Sequence, residues 1–376
     1  MIILQQRGYK LLAMQLELFT EFNDNLRSHW TSFENECHLY PFQSFEWQKY
    51  WYEKVGKPKH NFSLCIIVCR VDCEVRAIFP FGIRALCCAK VLEFLGSDEV
   101  DYNSPLIATN MSSNEFGDIW SDLSKEIPNH DIVHFRNLTK FIDKGENHLL
   151  NYITSKETGK SFSALLPGSF ADYSKSLSKS MLKDNRRMIR RLKEKGNLKF
   201  HISSNENEFK EIVDKAIFQK EKRYNETGAR NIFLDNSVRN FYQKIYLLFK
   251  RGMNIHLSAL SLDDEILATN LGIHYKDQFY YLMPTFNDHQ KWGKFSLGRL
   301  HLEKLIHWAI ENNIKKFDFT IGAESYKKIW CNDEMSIYRH LKLKSIRGVV
   351  GFIYFHLFEF IRSRNVLKRI VLKLIK

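Results

Sequence analysis

IHLSALSLDDEILATNLGIHY, residues 255–275, reads as two apolar, β-branched runs around an Asp-Asp turn, which is the pattern of a β-hairpin. A second such stretch lies upstream in FSLCIIVCRVDCEVRAIFPFGI, residues 62–83. VDCEVRA (71–77) aligns with LDDEILA (262–268), so that Asp72, Glu74 and Ala77 match Asp263, Glu265 and Ala268. Two readings stay open at this point: an internal duplication, or the ordinary preference of Asp for turns.

Outward from the second hairpin, DQFYYLMPTF (277–286) continues as a third strand, and the polar loop NDHQKWGK (287–294) follows. An amphipathic helix then starts near Ser296, with Leu297, Leu300, Leu302, Leu305, Ile306, Trp308, Ala309 and Ile310 supplying its buried face. Next come a strand (IKKFDFT, 314–320), a short helix (AESYKKIW, 323–330) and a last strand (EMSIYRHLKLK, 334–344). This order describes an α/β (α+β) domain with a mixed, partly antiparallel sheet flanked by helices. Upstream, in the basic segment 174–200, Lys175 to Lys195 form a helix with one basic face, on which Lys175, Lys179, Lys183, Arg187, Arg191 and Lys195 recur every fourth residue, and Gly196 is placed to end it.

At 376 residues, with 44% hydrophobic and 14% aromatic side chains, the chain is long enough for two packed domains. A net charge of +13 attracts anionic partners of several kinds and does not choose among them. The 7 cysteines are scattered in no disulfide framework, and no His/Cys spacing suits zinc, so no metal is expected. The first residues carry no secretory pattern, and the longest apolar run, 349–361, is shorter than the roughly 17–25 residues a membrane span needs. A reducing cytoplasm fits best.

GKFSLGR (293–299) is not a nucleotide-binding P-loop, because Arg299 and Leu300 stand after Gly298 where Lys and Ser/Thr would be. It still opens a helix whose free amides can hold a phosphate beside Lys294 and Arg299, the alternative being a plain Ser296 cap. In FDFT (317–320), alternation puts Phe317 and Phe319 on one face and Asp318 with Thr320 on the other. Asp318 therefore either lines a cleft, as a base or to orient an acceptor, or caps the next helix or pairs with Lys327. Asp101-Tyr102-Asn103 follows an apparent strand and either faces an acceptor or caps a turn.

Several motifs occur in order: PFQSFEW (41–47), EFLGSDEVDYNSPLI (93–107), NRRMIRRLKEKG (185–196), D-x-E-I-x-A (263–268), FSLG (295–298), and the block Asp318, Gly322, Tyr326, Lys327, Trp330. Together they resemble the GNAT-related acyltransferase family that includes the CelD-like proteins of cellulose biosynthesis, relatives of the FemAB peptidyltransferases. Gln290 to Gly293 resembles the start of the GNAT phosphate loop, although Phe295 stands where that loop has a small residue. The resemblance implies two tandem GNAT-like domains, 14–168 and 169–346, followed by a basic amphipathic helix, 347–376. It implies acyl-CoA, acetyl-CoA in the simplest case, as co-substrate held by Lys294, Phe295, Ser296, Leu297, Gly298 and Arg299. Asp318 and Tyr326 would be catalytic, with Tyr326 donating to the departing sulfur, and Asp101, Tyr102 and Lys327 would contact the acceptor. The implied acceptor is an amine, as on an amino sugar or another envelope or surface-polysaccharide precursor. FemAB-like transfer from charged tRNA and an inactive GNAT-fold scaffold are the alternatives. Nucleic acid is not an expected partner of the leading reading. The segment 347–376 either packs on its domain or lies on an anionic membrane surface.

Overall fold

The computed structural model describes residues 2–7, 10–86, 88–96 and 99–363, with side chains at 14–86, 88–96 and 99–357. The chain divides into two compact units, the first comprising Met1–Gly159 with Ser336–Lys376 and the second Lys160–Met335. In chain order the principal elements are β1 (Lys10–Phe19), α1 (Asp24–Phe33), α2 (Phe45–Trp51), β2 (Ser63–Val71), β3 (Glu74–Leu86), β4 (Ala89–Phe94), α3 (Ser113–Glu126) and β5 (Ile132–Thr139). Then follow β6 (Lys156–Leu165), α4 (Lys179–Lys193), β7 (Leu198–Ile202), α5 (Glu206–Thr227), β8 (Ile255–Leu262), β9 (Glu265–Tyr275), β10 (Gln278–Phe286), α6 (Leu297–Glu311), β11 (Lys316–Ile321), β12 (Asp333–Leu343) and α7 (Val349–Ser363).

The first unit's strands lie in the order β1-β2-β3-β4-β5-β12, antiparallel except for β4 and β5. The second unit repeats this order as β7-β8-β9-β10-β11-β6, again with one parallel pair, β10 and β11. The duplication extends to single residues. Val71 pairs with Glu74, Arg70 with Val75 and, past a bulge, Cys69 with Ala77; Leu262 pairs with Glu265, Ser261 with Ile266 and, past the same bulge, Leu260 with Ala268. Asp72 and Asp263 both take left-handed backbone, with φ of 50° and 51°. A turn preference alone reproduces neither the bulge nor the register, so the duplication is real at the level of structure.

The expected limits at 168/169 and 346/347 give way to 159/160 and 335/336, because β6 starts in the first unit and ends in the second, while β12 returns to the first. Each sheet is thus completed by the strand that a simple tandem repeat would assign to the other unit. Residues 364–376 of the expected C-terminal helix lie outside the described residues.

In the second unit, α5 and α6 cover opposite faces of the sheet. Thr269 reaches the α5 side, bonding Thr285, whose hydroxyl donates to Gln219 (2.6 Å). Its neighbour Asn270 pairs with Ser258, whose hydroxyl meets His301 of α6 at 3.1 Å. Apolar side chains fill the α6 side, with Phe279, Tyr281, Leu305, Phe317 and Phe319 in one cluster and Leu260, Leu267, Trp292, Phe295, Leu297 and Leu300 in another. Gly196 does not end α4 in left-handed backbone. The helix stops at Lys193, and Gly196 lets the Asp263 carboxylate approach, since a Cβ there would lie 2.2 Å from its Oδ2. None of the described helices is long and apolar enough to cross a membrane.

Candidate active site

The parallel pair β10 and β11 holds together for three residues only, Gln278–Tyr280 against Lys316–Asp318, and then parts. The cause lies in β10. Met283 pairs with Leu271 and Tyr281 with Gly272, so Leu282 has no partner on β9, and such a bulge bends the strand that carries it. Two residues on, Pro284 has no N–H to offer any neighbour. A wedge opens from Tyr280 and Asp318 toward the carboxyl ends of both strands, which is where α/β folds place ligand sites.

The end of β11 is fastened from below. Asp318, 2% exposed, accepts the Thr320 N–H at 2.7 Å and so supports Thr320 in left-handed backbone at φ 58°; Gly322 follows at φ 130°, which few residues with a Cβ tolerate. Lys327, 3% exposed, donates to the carbonyls of Ile321 (2.9 Å) and Thr320 (3.3 Å) and lies 3.1 Å from Glu324. Its ammonium therefore holds the turn. Tyr326 is half-buried against Phe319, and burial, then the charges of Glu324 and Cys331, raise its hydroxyl above the usual phenol range. Burial likewise pushes the Cys331 thiol up to about 12, with Lys327 opposing and Asp318 adding to the rise. Asp318, Tyr326 and Lys327 are thus brought together around one turn.

At the start of α6, Ser296 adopts φ 50° and its hydroxyl makes no cap. Its carbonyl accepts from Arg299 N (2.9 Å) and Leu300 N (3.2 Å), so the Leu297 and Gly298 amides stand ahead of the first intrahelical bonds. The expected set here divides in two. Phe295 and Leu297, each 1% exposed, belong to the apolar cluster with Leu260 and Leu300 and offer a ligand only backbone. The loop that would take a small residue at 295 is here anchored by a large one. Lys294 and Ser296 are exposed, Gly298 and Arg299 half-buried, and the Arg299 Nε is buried without a hydrogen-bond partner.

Sequence reasoning missed Lys220 on α5. It lies half-buried with no hydrogen bond or ion pair among the described residues, and burial, then Arg223, lower its pKa to about 8 against the opposing pull of Glu324. The signal was available, since Val213, Ala216, Ile217, Lys220 and Tyr224 follow the i, i+3, i+4 spacing of an apolar stripe, and a lysine on such a stripe is out of place.

The first unit has the corresponding wedge, and its own chain fills it. β4 and β5 pair only at Val91–Leu92 with Ile132–Val133. Asn103 then forms a parallel bridge to Leu138, its N–H donating to Asn137 O (3.0 Å) and its amide to Arg136 O (3.2 Å), while Asn137 donates to Val100 O (3.0 Å). Tyr102 is fully buried on Tyr40, with ring centroids 4.7 Å apart, and its carbonyl accepts from Gln43 (2.8 Å). Tyr102 is therefore part of this plug, with no surface for an acceptor, and Asp101 beside it is half-buried.

Residues 179–328, all within the second unit, match the family described as acetyltransferase (GNAT) domain. The second unit thus holds the whole of the segment that is similar to a GNAT-type acetyltransferase domain. No curated protein sequence matches the chain. Among solved structures, FemX is similar with 11% identity and a TM-score of 0.55, covering 84% of this chain and 96% of its own. A conserved protein of unknown function from Bacteroides thetaiotaomicron is similar with 11% identity and a TM-score of 0.52, covering 88% of this chain and 100% of its own. At such identities the likeness is one of fold.

Proposed function

We propose that the second unit transfers an acyl group from acyl-CoA to an amine acceptor, such as an amino sugar or another precursor of the cell envelope or surface polysaccharide, as the resemblance to CelD-like proteins implies. The wedge between β10 and β11 carries this reading. Its free strand edges suit an extended chain bearing amide groups, and the Leu297 and Gly298 amides, with Lys294 and Arg299 nearby, suit a diphosphate. Bound there, acyl-CoA supplies an activated thioester.

The chain's own groups then divide the remaining work. Asp318 orients the acceptor amine at the apex of the wedge, Lys220 in its neutral form takes up the amine's proton, and Tyr326, kept protonated by burial, donates to the departing sulfur. Lys327 is a positioning residue that keeps Thr320 and Ile321 in place.

A second reading, aminoacyl transfer from charged tRNA, is favoured by α4. Lys179, Lys183, Arg186, Arg191 and Lys193 are exposed there with no ion pair among the described residues. Thiol release from acetyl-CoA in the presence of a panel of amino sugars, run beside transfer from charged tRNA, separates the two. Turnover with acetyl-CoA supports the first. Binding of neither donor would leave a scaffold role and defeat both.

A further inference from the structure

α7 carries two apolar stripes on opposite faces. Gly348, Gly351, Phe352 and Phe355 form one, at i, i+3, i+4 and i+7, and it is seated on the first unit. Phe355 is buried with Ala89, Val91 and Ile132, Phe352 packs against this group, and the Phe355 ring lies 4.1 Å from that of His134. The approach is close, since a Cβ at Gly351 would sit 2.8 Å from Ile132 Cδ1. The other stripe, Val350, Ile353, Tyr354 and Leu357, repeats the same spacing and is 58%, 50%, 50% and 55% exposed. Ile346, just before the helix, is 91% exposed. A helix apolar on both sides needs a second apolar environment, and on this face Val350, Ile353 and Leu357 stand exposed among the described residues.

Charge selects the occupant. The sequence from 347 to 376 holds seven Lys/Arg and one acid, Glu359, and exposed Lys342 and Lys344 precede it. We infer that the exposed face of α7 docks on an anionic lipid leaflet, with Val350, Ile353 and Leu357 entering the acyl boundary and the net positive charge of the segment attracting the headgroups. The docking surface belongs to the first unit and is independent of the chemistry assigned to the second.

The test uses the full chain and sedimentation with vesicles of phosphatidylcholine alone or mixed equally with phosphatidylglycerol, beside a Val350→Asp, Ile353→Asp, Leu357→Asp variant. These positions are exposed, so the variant is expected to keep the wild-type melting temperature and circular dichroism. The wild type should sediment with the anionic vesicles, less at high salt, and the variant's partition should fall at least tenfold. If the variant fails to fold, Val350→Ser, Ile353→Ser serves, with a smaller loss in the same direction. The inference is overturned if the wild type does not sediment, if apolar substitutions leave binding unchanged, or if light scattering shows a dimer that the variant loses, which would make a second copy the occupant.

Discussion

Two buried histidines of the second unit set an acid limit on its stability. Burial is the first cause in both cases, holding His256 and His301 neutral with pKa lowered to about 3. In the unfolded chain each titrates near 6.5. The folded form therefore binds fewer protons, and the stability present above pH 6.5 is lost as pH falls from there toward 3. At pH 5 the folded values lie well below the solution pH, so the loss depends on the unfolded value alone, at about 2 kcal/mol for each imidazole relative to pH 7, or about 4 kcal/mol for the pair. That is a large part of the roughly 5–15 kcal/mol that holds a typical domain folded. The assay is urea unfolding of the full chain at pH 7, 6 and 5. His301→Gln, which retains a partner for Ser258 Oγ, should start less stable at pH 7 yet lose about 2 kcal/mol less between pH 7 and 5 than the wild type. Parallel losses in the two proteins would refute the claim that His301 is held neutral in the fold.

Further outcomes follow from the site. Calorimetry with acetyl-CoA should give one site per chain, because the Val100–Asn103 plug closes the first unit's wedge; a stoichiometry of two would contradict it. Tyr326→Phe should lower kcat by about tenfold or more with KM little changed, while an equal fall in affinity for acetyl-CoA would assign the hydroxyl to binding instead. Lys220→Met should abolish an ionisation near 8 in the pH profile of kcat, and an unchanged profile would remove it from proton transfer. Lys327→Met strips donors from two carbonyls at the end of β11 and should cost about 2 kcal/mol of stability, measured by the urea midpoint.

The sequence made the two hairpins legible, because local turn chemistry and alternation decide them and both copies carry the same Asp, Glu and Ala, but their shared bulge shows only in the strand pairing. It also placed Phe317 and Phe319 inward and Asp318 on the other face, since period-two alternation needs no tertiary information. The wedge was not legible. YYLM carries no mark that Leu282 goes unpaired, a fact that lives in the pairing of β10 with β9. Tyr102 looked available because it follows a strand, but its burial depends on a bridge between Asn103 and Leu138 far along the chain. Phe295 was a visible departure from the phosphate-loop pattern, and its place in the apolar cluster explains how the loop is held without a small residue there.

The strand exchange has a consequence for synthesis. Residues 160–335 are contiguous, so the second unit can close its sheet as soon as it has left the ribosome. The part made first must wait, with the outer edge of β5 open, until β12 arrives from the end of the chain. For that interval the nascent protein displays an unsatisfied β edge, inviting wrong partners and chaperones alike, and the half translated first matures last.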